Sequence, residues 1–331
     1  MLATISNAMQ RWSRTAADTK TIHLQISNFC NLSCPGCSRA TRLRLGEQMN
    51  DQFLDLQLLQ QSFVAGQWPN LQRVVFSGNI DDPSMHPQLF GMITHWLGIN
   101  DQLRVLIHTN GSTRTARWYR ELGLLSRHSD GRLRTVFAID GLEDTNHIYR
   151  IGSDWQKLQQ NWRAYIGAGG MAFWQFVVFE HNQHQLAEIR ALHSVEGFQQ
   201  LLIRYSGRDA NDRGIKVTQL GDYHSHASVT CKALTRNPAL APEEQPPELF
   251  INHLGEVSPC CFIDLSNTRV RTRYETIISD LGQQAHHDLH HASVEDIVSG
   301  DWFAWLHTNM QTNTECVRHC QHNLRDRLII Q

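Results

Sequence analysis

The chain has 331 residues, of which 41% are hydrophobic and 19% charged, so it has enough apolar side chains for a folded core and too few charges for a disordered chain. Its formal net charge is −2 and no tail is basic, so we expect no nucleic-acid partner. No stretch reaches the roughly 18 apolar residues that span a bilayer, and residues 1–20 lack the apolar core of a secretory signal. We therefore expect a cytoplasmic protein with no membrane partner.

Short β-rich runs alternate with longer segments of helical periodicity between residues 21 and 205. This alternation predicts an α/β fold, in which crossover helices join parallel strands, and six such units are fewer than the eight of a closed barrel. The predicted strands are 21–27, 73–78, 104–110, 134–140, 172–179 and 200–205. The predicted helices are 51–65, 87–99, 113–122, 145–168 and 183–194.

The alternation stops after residue 205, and four prolines between residues 237 and 247 exclude regular structure there. Beyond them, a strand pair at 248–254 and 256–262 turns at Gly255, and a helix is predicted over 294–310. The predicted domains are an N-terminal extension (1–20), an α/β domain (21–210) and a smaller α+β domain (211–331).

Three cysteines follow the first predicted strand at C-x3-C-x2-C spacing, in the sequence SNFCNLSCPGC. They are Cys30, Cys34 and Cys37. Three thiolates suit a [4Fe-4S] cluster, because each cysteine holds one iron and the fourth iron is then left open for a ligand. The alternative is zinc with a remote fourth ligand.

This cysteine motif after a first strand resembles that of the radical S-adenosylmethionine (SAM) superfamily, and the resemblance covers residues 21–205. It implies a partial (β/α)6 TIM-like barrel that binds SAM at a [4Fe-4S] cluster. It also implies a reducing partner such as flavodoxin or ferredoxin. In such enzymes reductive cleavage of SAM yields a 5′-deoxyadenosyl radical, which abstracts hydrogen from an unactivated carbon.

Further motifs of the superfamily can be matched in the loops after the second, third and fourth strands. In the motif that is commonly GGEP, Asn79 takes the Glu position, so the resemblance gives the carboxylate role to Asp82. Arg150 is matched to an arginine whose guanidinium would pair with the carboxylate of SAM. The alternative for Arg150 is a surface arginine. The implied SAM-binding residues are Gly78, Asn79, Asp82, Thr109, Asn110, Asp140 and Arg150.

The remaining cysteines lie in the C-terminal third of the chain and resemble those of the twitch domain, a short relative of the SPASM domain. The resemblance implies an auxiliary [4Fe-4S] cluster held by Cys231, Cys260, Cys316 and Cys320, and a Zn(Cys)4 site is the alternative. Cys261 is then surplus. It can replace Cys260 as a ligand, donate a hydrogen atom to a substrate radical, or be a buried apolar cysteine.

The resemblance favours an oxidoreductase that modifies a peptide or protein side chain by crosslinking or dehydrogenation. One alternative is oxidation of a small molecule such as an amino sugar. A second, from another class, is a non-catalytic iron-sulfur electron carrier. Cleavage of SAM separates the enzyme from the carrier, because an electron carrier needs neither an open iron nor SAM-binding loops.

Overall fold

The computed structural model describes residues 15–205, 215–216, 224–225, 248–282, 286–323 and 327–330. Its main sheet has six parallel strands in sequence order, as the alternating pattern predicts. The predicted partial TIM-like barrel is therefore confirmed. The strands are β1 (Thr21–Leu24), β2 (Arg73–Phe76), β3 (Arg104–Thr109), β4 (Leu133–Ala138), β5 (Met171–Val178) and β6 (Gln200–Tyr205).

The helices between these strands bury one face of the sheet. Alternate strand residues such as Ile22, Val74 and Val105 are fully buried in one apolar core, as expected where helices cover a sheet face. Trp162 and Trp174 also pack there, with ring centroids 6.1 Å apart. The helices are α1 (Ser38–Arg44), α2 (Leu56–Ser62), α3 (Leu89–Leu97), α4 (Ala116–His128), α5 (Asn146–Tyr149), α6 (Trp155–Gly167) and α7 (Leu186–Val195).

The single helix predicted over 145–168 is wrong, because the chain forms α5 and α6 with a turn between them. Gly152 has a φ of 95°, which is left-handed and ends a right-handed helix. The Asp154 side chain then accepts a hydrogen bond from the Lys157 amide at 3.0 Å and begins α6. This turn leaves Arg150 just after the short α5.

The C-terminal part of the chain adds strands to both edges of this sheet. β8 (Glu248–Ile251) pairs in parallel with β1 and turns back into antiparallel β9 (Val257–Ser258), which confirms the predicted strand pair. β11 (Arg327–Ile330) pairs with β6 at the other edge. The short strands β7 (His224–Ser225) and β10 (His322–Asn323) pair with each other. The predicted domain boundary between residues 210 and 211 lies outside the described residues.

Four α-helices follow β9 among the described residues of the C-terminal part. The helix predicted over 294–310 is two helices that meet at Gly300. The helices are α8 (Thr268–Leu281), α9 (Val294–Ser299), α10 (Asp301–Asn309) and α11 (Thr314–Cys316). No helix in the described part of the chain is long and apolar enough to cross a membrane.

Candidate active site

The three-cysteine loop lies at the carboxyl end of β1, where parallel α/β folds carry their working residues. Gly36, with a φ of 70°, makes the turn that brings the amide of Cys37 to 3.2 Å from the carbonyl of Cys34. Cys37 then caps α1. Cys34 is buried in a small apolar cluster that includes Leu32 and Tyr149, and the other two cysteines pack against this cluster. Local sequence therefore fixes all three thiols on one short loop.

Each of the three sulfurs has a polar neighbour from another loop. Asn110 Nδ2 lies 3.8 Å from the sulfur of Cys30, and Arg150 Nη1 lies 3.8 Å from that of Cys34. Cys37 Sγ lies 3.9 Å from the carbonyl oxygen of Asn79. Amide and guanidinium groups at cysteine sulfurs stabilise thiolate ligands and tune an iron-sulfur cluster.

Burial raises the pKa of the Cys30 and Cys34 thiols, and for Cys34 the positive charge of Arg150 opposes the effect. Metal binding would have to release these protons. No three His, Cys, Asp or Glu side chains in the described ranges converge closely enough to hold a single metal ion. A cubane takes one thiolate for each ligated iron, so three thiols spread along one loop, with N–H donors at the sulfurs of Cys30 and Cys34, suit a cluster whose fourth iron is open.

The loop after β2 contains the residues matched to the GGEP motif. A side chain at Gly78 would collide with the Asp81 carboxylate, since a Cβ there would lie 1.8 Å from Oδ1. Two hydrogen bonds hold Asn79 in position. Its backbone amide donates to Gln25 Oε1 at 3.0 Å, and its side-chain amide donates to the carbonyl of Cys261 at 2.7 Å. Asn79 thus joins the first cysteine loop to the C-terminal cysteines.

The two acids of this loop, Asp81 and Asp82, differ in how many of their carboxylate oxygens accept hydrogen bonds. Both oxygens of buried Asp82 accept hydrogen bonds, from Ser84 Oγ at 2.6 Å, Thr109 Oγ1 at 2.9 Å and the Asn110 amide at 2.7 Å. Asp81 Oδ2 accepts from the Ser27 amide at 3.0 Å, whereas its buried Oδ1 has no hydrogen-bond partner in the structure as described. The sequence analysis missed Asp81, although the adjacent acids at 81 and 82 were visible there.

The buried Asp81 carboxyl should make stability depend on pH. Burial raises its pKa to about 7, against about 3.9 in an unfolded chain. Between these values the folded protein keeps a proton that the unfolded chain has released. The contribution of Asp81 to the free energy of unfolding therefore falls as the pH rises from about 4 to 7, by about 4 kcal/mol at 1.36 kcal/mol per unit.

Urea unfolding of metal-free protein at pH 4.5 and 7.5 tests this prediction. Asp81→Asn, which cannot titrate, should lose this contribution, so the difference in unfolding free energy between wild type and variant should change between the two pH values, whereas that for exposed Asp101→Asn should not. An unchanged pH dependence in Asp81→Asn would show that the Asp81 carboxyl does not titrate in this range.

Arg150 is not a surface residue, in contrast to the alternative left open by the sequence. Its Nε donates to Asp140 Oδ2 at 2.6 Å, and its guanidinium lies 5.3 Å from the centre of the Tyr149 ring. Asp140 is fully buried, and its other oxygen accepts from the Val177 amide at 2.7 Å. The pair holds a positive group against the sulfur of Cys34.

The C-terminal cysteines are divided between two environments. Cys260, Cys316 and Cys320 line one pocket, together with Ile263 and Leu306 among other residues. Cys231, the fourth predicted ligand, lies outside the described residues.

Cys261 is not among the residues of that pocket. It instead shares a side-chain hydrogen bond with His23 on β1. Burial lowers the pKa of His23, but its interactions with Cys261 and Glu248 outweigh that effect, so the pKa stands well above its ordinary value.

Comparisons with known proteins give the fold. No family model matches the sequence, and no curated protein matches it significantly. SuiB from Streptococcus suis bound to its precursor peptide SuiA is similar at 12% identity and a TM-score of 0.56, over 90% of this chain and 67% of that one. Native anSMEcpe with bound AdoMet is similar at 12% identity and a TM-score of 0.55, over 92% of this chain and 90% of that one. The chain has the fold of the radical SAM enzymes.

The SuiB structure bound to S-adenosylmethionine also has this radical SAM fold, at 12% identity and a TM-score of 0.50. The match covers 75% of this chain, which spans only 61% of the SuiB chain. Within its own radical SAM fold, the present chain carries the three-cysteine motif at the carboxyl end of β1.

Proposed function

We propose that the chain is a radical SAM enzyme that binds SAM at a [4Fe-4S] cluster held by Cys30, Cys34 and Cys37. The observation that carries the proposal is the set of three thiols on one loop at the carboxyl end of β1, each beside a polar group of another loop. When bound there, such a cluster supplies the electron that cleaves SAM to methionine and a 5′-deoxyadenosyl radical. Two solved structures of similar fold contain SAM.

The surrounding residues have distinct roles in this proposal. Arg150, oriented by Asp140 at 2.6 Å, would bind the carboxylate of SAM beside Cys34. Asp81 has an oxygen without a hydrogen-bond partner in the described structure, so we assign it, rather than the fully bonded Asp82, to the ammonium group of SAM. Thr109 and Asn110 would shape the pocket, because both are fixed by Asp82.

For the substrate we propose a peptide or protein side chain that is oxidised by crosslinking or dehydrogenation. The support is the likeness to SuiB bound to its precursor peptide. Abstraction of a hydrogen atom would leave an unpaired electron on the substrate, and oxidation to the product would transfer that electron to an acceptor such as an auxiliary cluster. The pocket lined by Cys260, Cys316 and Cys320 supports such a cluster, with Cys231 as the proposed fourth ligand. A flavodoxin or ferredoxin in the cytoplasm is the proposed electron source.

Two assays test the proposal in sequence. Anaerobically reconstituted, reduced protein should convert SAM to 5′-deoxyadenosine and methionine. Protein that contains the intact reduced cluster and fails to bind SAM would overturn the enzyme assignment in favour of an electron carrier. Mass spectrometry of a short peptide encoded beside the gene, made with and without the enzyme, should then show a loss of hydrogen. An unchanged peptide alongside an altered small molecule would overturn the peptide assignment.

A further inference from the structure

The parallel strands around the barrel interior are rich in basic side chains. Strands β1–β6 and β8 together contain six basic residues and a single acid, Glu248. Parallel strands buried on both faces are usually apolar throughout, so this set is unusual for its position. The basic residues are His23, Arg73, Arg104, His108, Arg134 and Arg204.

Strand alternation and register place all six on the face turned away from the helices, since Arg104 pairs with Arg73 and Arg134 pairs with Leu106. In β1, β2, β3 and β6, fully buried core residues alternate with partly exposed ones. His23, Arg73, His108 and Arg204 all belong to the partly exposed set. They therefore face the barrel interior. His23 also donates a hydrogen bond to the carbonyl of Ser77, directly before Gly78, so His23 adjoins the proposed SAM loop.

The charges of three of these basic residues act on His108. Burial and the charges of Arg204, His23 and Arg73 together lower the pKa of His108 to about 3, so its imidazole is neutral near pH 7. The one acid on these strands, Glu248, pairs with His23, since its Oε1 lies 3.6 Å from His23 Nδ1. It therefore does not neutralise the charges of the arginines.

Arg73 has a buried donor that lacks an acceptor among the described residues. Its buried Nε has no hydrogen-bond partner in the described part of the molecule. Its Nη2 makes one long hydrogen bond, to Thr21 Oγ1 at 3.5 Å. A guanidinium held with an unsatisfied buried donor is costly unless an anion comes to it. Arginine is the residue that binds carboxylates through two parallel N–H groups.

We propose that the barrel interior binds a carboxylate of the substrate through Arg73 and Arg204, beside His108. This inference rests on the proposed function and specifies its substrate as an acidic one. The carboxylate would be that of an Asp or Glu side chain or of a peptide C-terminus. Anchored there, it would fix the distance between the SAM loop and the carbon that loses hydrogen.

A binding experiment with small probes tests the proposal on the full reconstituted chain in the presence of SAM. The probes are N-acetylglutamate α-amide, with only a side-chain carboxylate, N-acetylalanine, with only a terminal one, and neutral N-acetylglutamine α-amide. By calorimetry or ligand-observed NMR, at least one acidic probe should bind about 10-fold more tightly than the neutral probe, a difference of about 1.4 kcal/mol. The acidic probe that binds identifies the source of the carboxylate.

Substitutions at Arg73 test whether this residue binds the carboxylate of the probe. Arg73→Met should reduce the acidic probe to the affinity of the neutral one. Arg73→Lys should keep part of the preference, because it keeps the charge and loses the two-pronged geometry. Arg120→Met, at an exposed arginine of α4, should change nothing.

Equal binding of acidic and neutral probes to the wild type, or no binding, would overturn the proposal even if Arg73→Met failed to fold. An acidic preference that survives in folded Arg73→Met would overturn it as well. The assay does not depend on SAM cleavage, so its failure leaves the proposed function standing, and a failure to cleave SAM leaves the binding result intact.

Discussion

Cys34→Ala should abolish the reductive cleavage of SAM while leaving the protein folded. The change removes one of three proposed ligands, whose sulfur lies 3.8 Å from Arg150 Nη1. It leaves the buried Asp140–Arg150 pair in place. The loss of 5′-deoxyadenosine should exceed the roughly 10–100-fold that removal of a hydrogen-bonding neighbour of a ligand costs. Anaerobic turnover followed by chromatography measures it.

The control is Ser33→Ala, at the exposed residue directly before Cys34 in the same loop. It should keep both iron and SAM cleavage. Wild-type protein should carry about eight irons, and the triple change of Cys30, Cys34 and Cys37 to alanine should leave about four. A triple variant that retains all its iron would refute the assignment of these thiols as ligands.

The strands and the first site were accessible from sequence because their signals are local. Each parallel strand has its own apolar run, and three cysteines within eight residues indicate the ligand loop without any knowledge of the rest of the fold. The turn at Gly152 was also local, but helical periodicity on both sides of it concealed the break. Helix α1 was missed because it has few apolar residues. Helix α8 was missed although Val270, Tyr274 and Ile278 recur along it at helical spacing.

The roles of single polar residues were not accessible, since they depend on contacts made across the chain. Asp81 and Asp82 are equivalent in sequence, and hydrogen bonds from other parts of the chain, such as those from the amides of Ser27 and Asn110, distinguish them. Asn79 is a clearer case. An ionised Glu at that position would only accept hydrogen bonds, whereas the Asn79 side chain donates one to the carbonyl of Cys261, 182 residues away. The residue that departs from the motif, Asn79, therefore has a specific hydrogen-bond partner in the C-terminal part of the chain.

Several buried contacts tie the C-terminal segment next to Cys260 to the first site. Arg42 of α1 donates to the Ser266 carbonyl at 2.5 Å and pairs with Glu47 at 2.6 Å. Gln25 at the end of β1 lies 3.2 Å from His253 Nδ1. Because these contacts do not involve the cysteines, they should hold residues 253–266 on the barrel when the auxiliary site is damaged.

Cys320→Ala should therefore keep SAM cleavage and lose the oxidised product. Cleavage needs only the first cluster in our proposal, whereas turnover also needs an acceptor for the electron left on the substrate. Iron should fall from about eight to about four. Hydrogen exchange should quicken in residues 301–320, since a metal site contributes to the folding of a small domain, and slow exchange should persist in β1–β6.

Arg318→Ala, at an exposed residue two positions away, is the matched control and should keep product, iron and exchange rates unchanged. Damage to the fold can mimic the loss of an electron acceptor, so the comparison is made at equal SAM affinity and with the barrel shown to be intact. Full product formation by a Cys320→Ala protein that lacks four irons would refute the redox role and leave the second cluster a structural one. Retention of all eight irons would instead remove Cys320 from the ligand set.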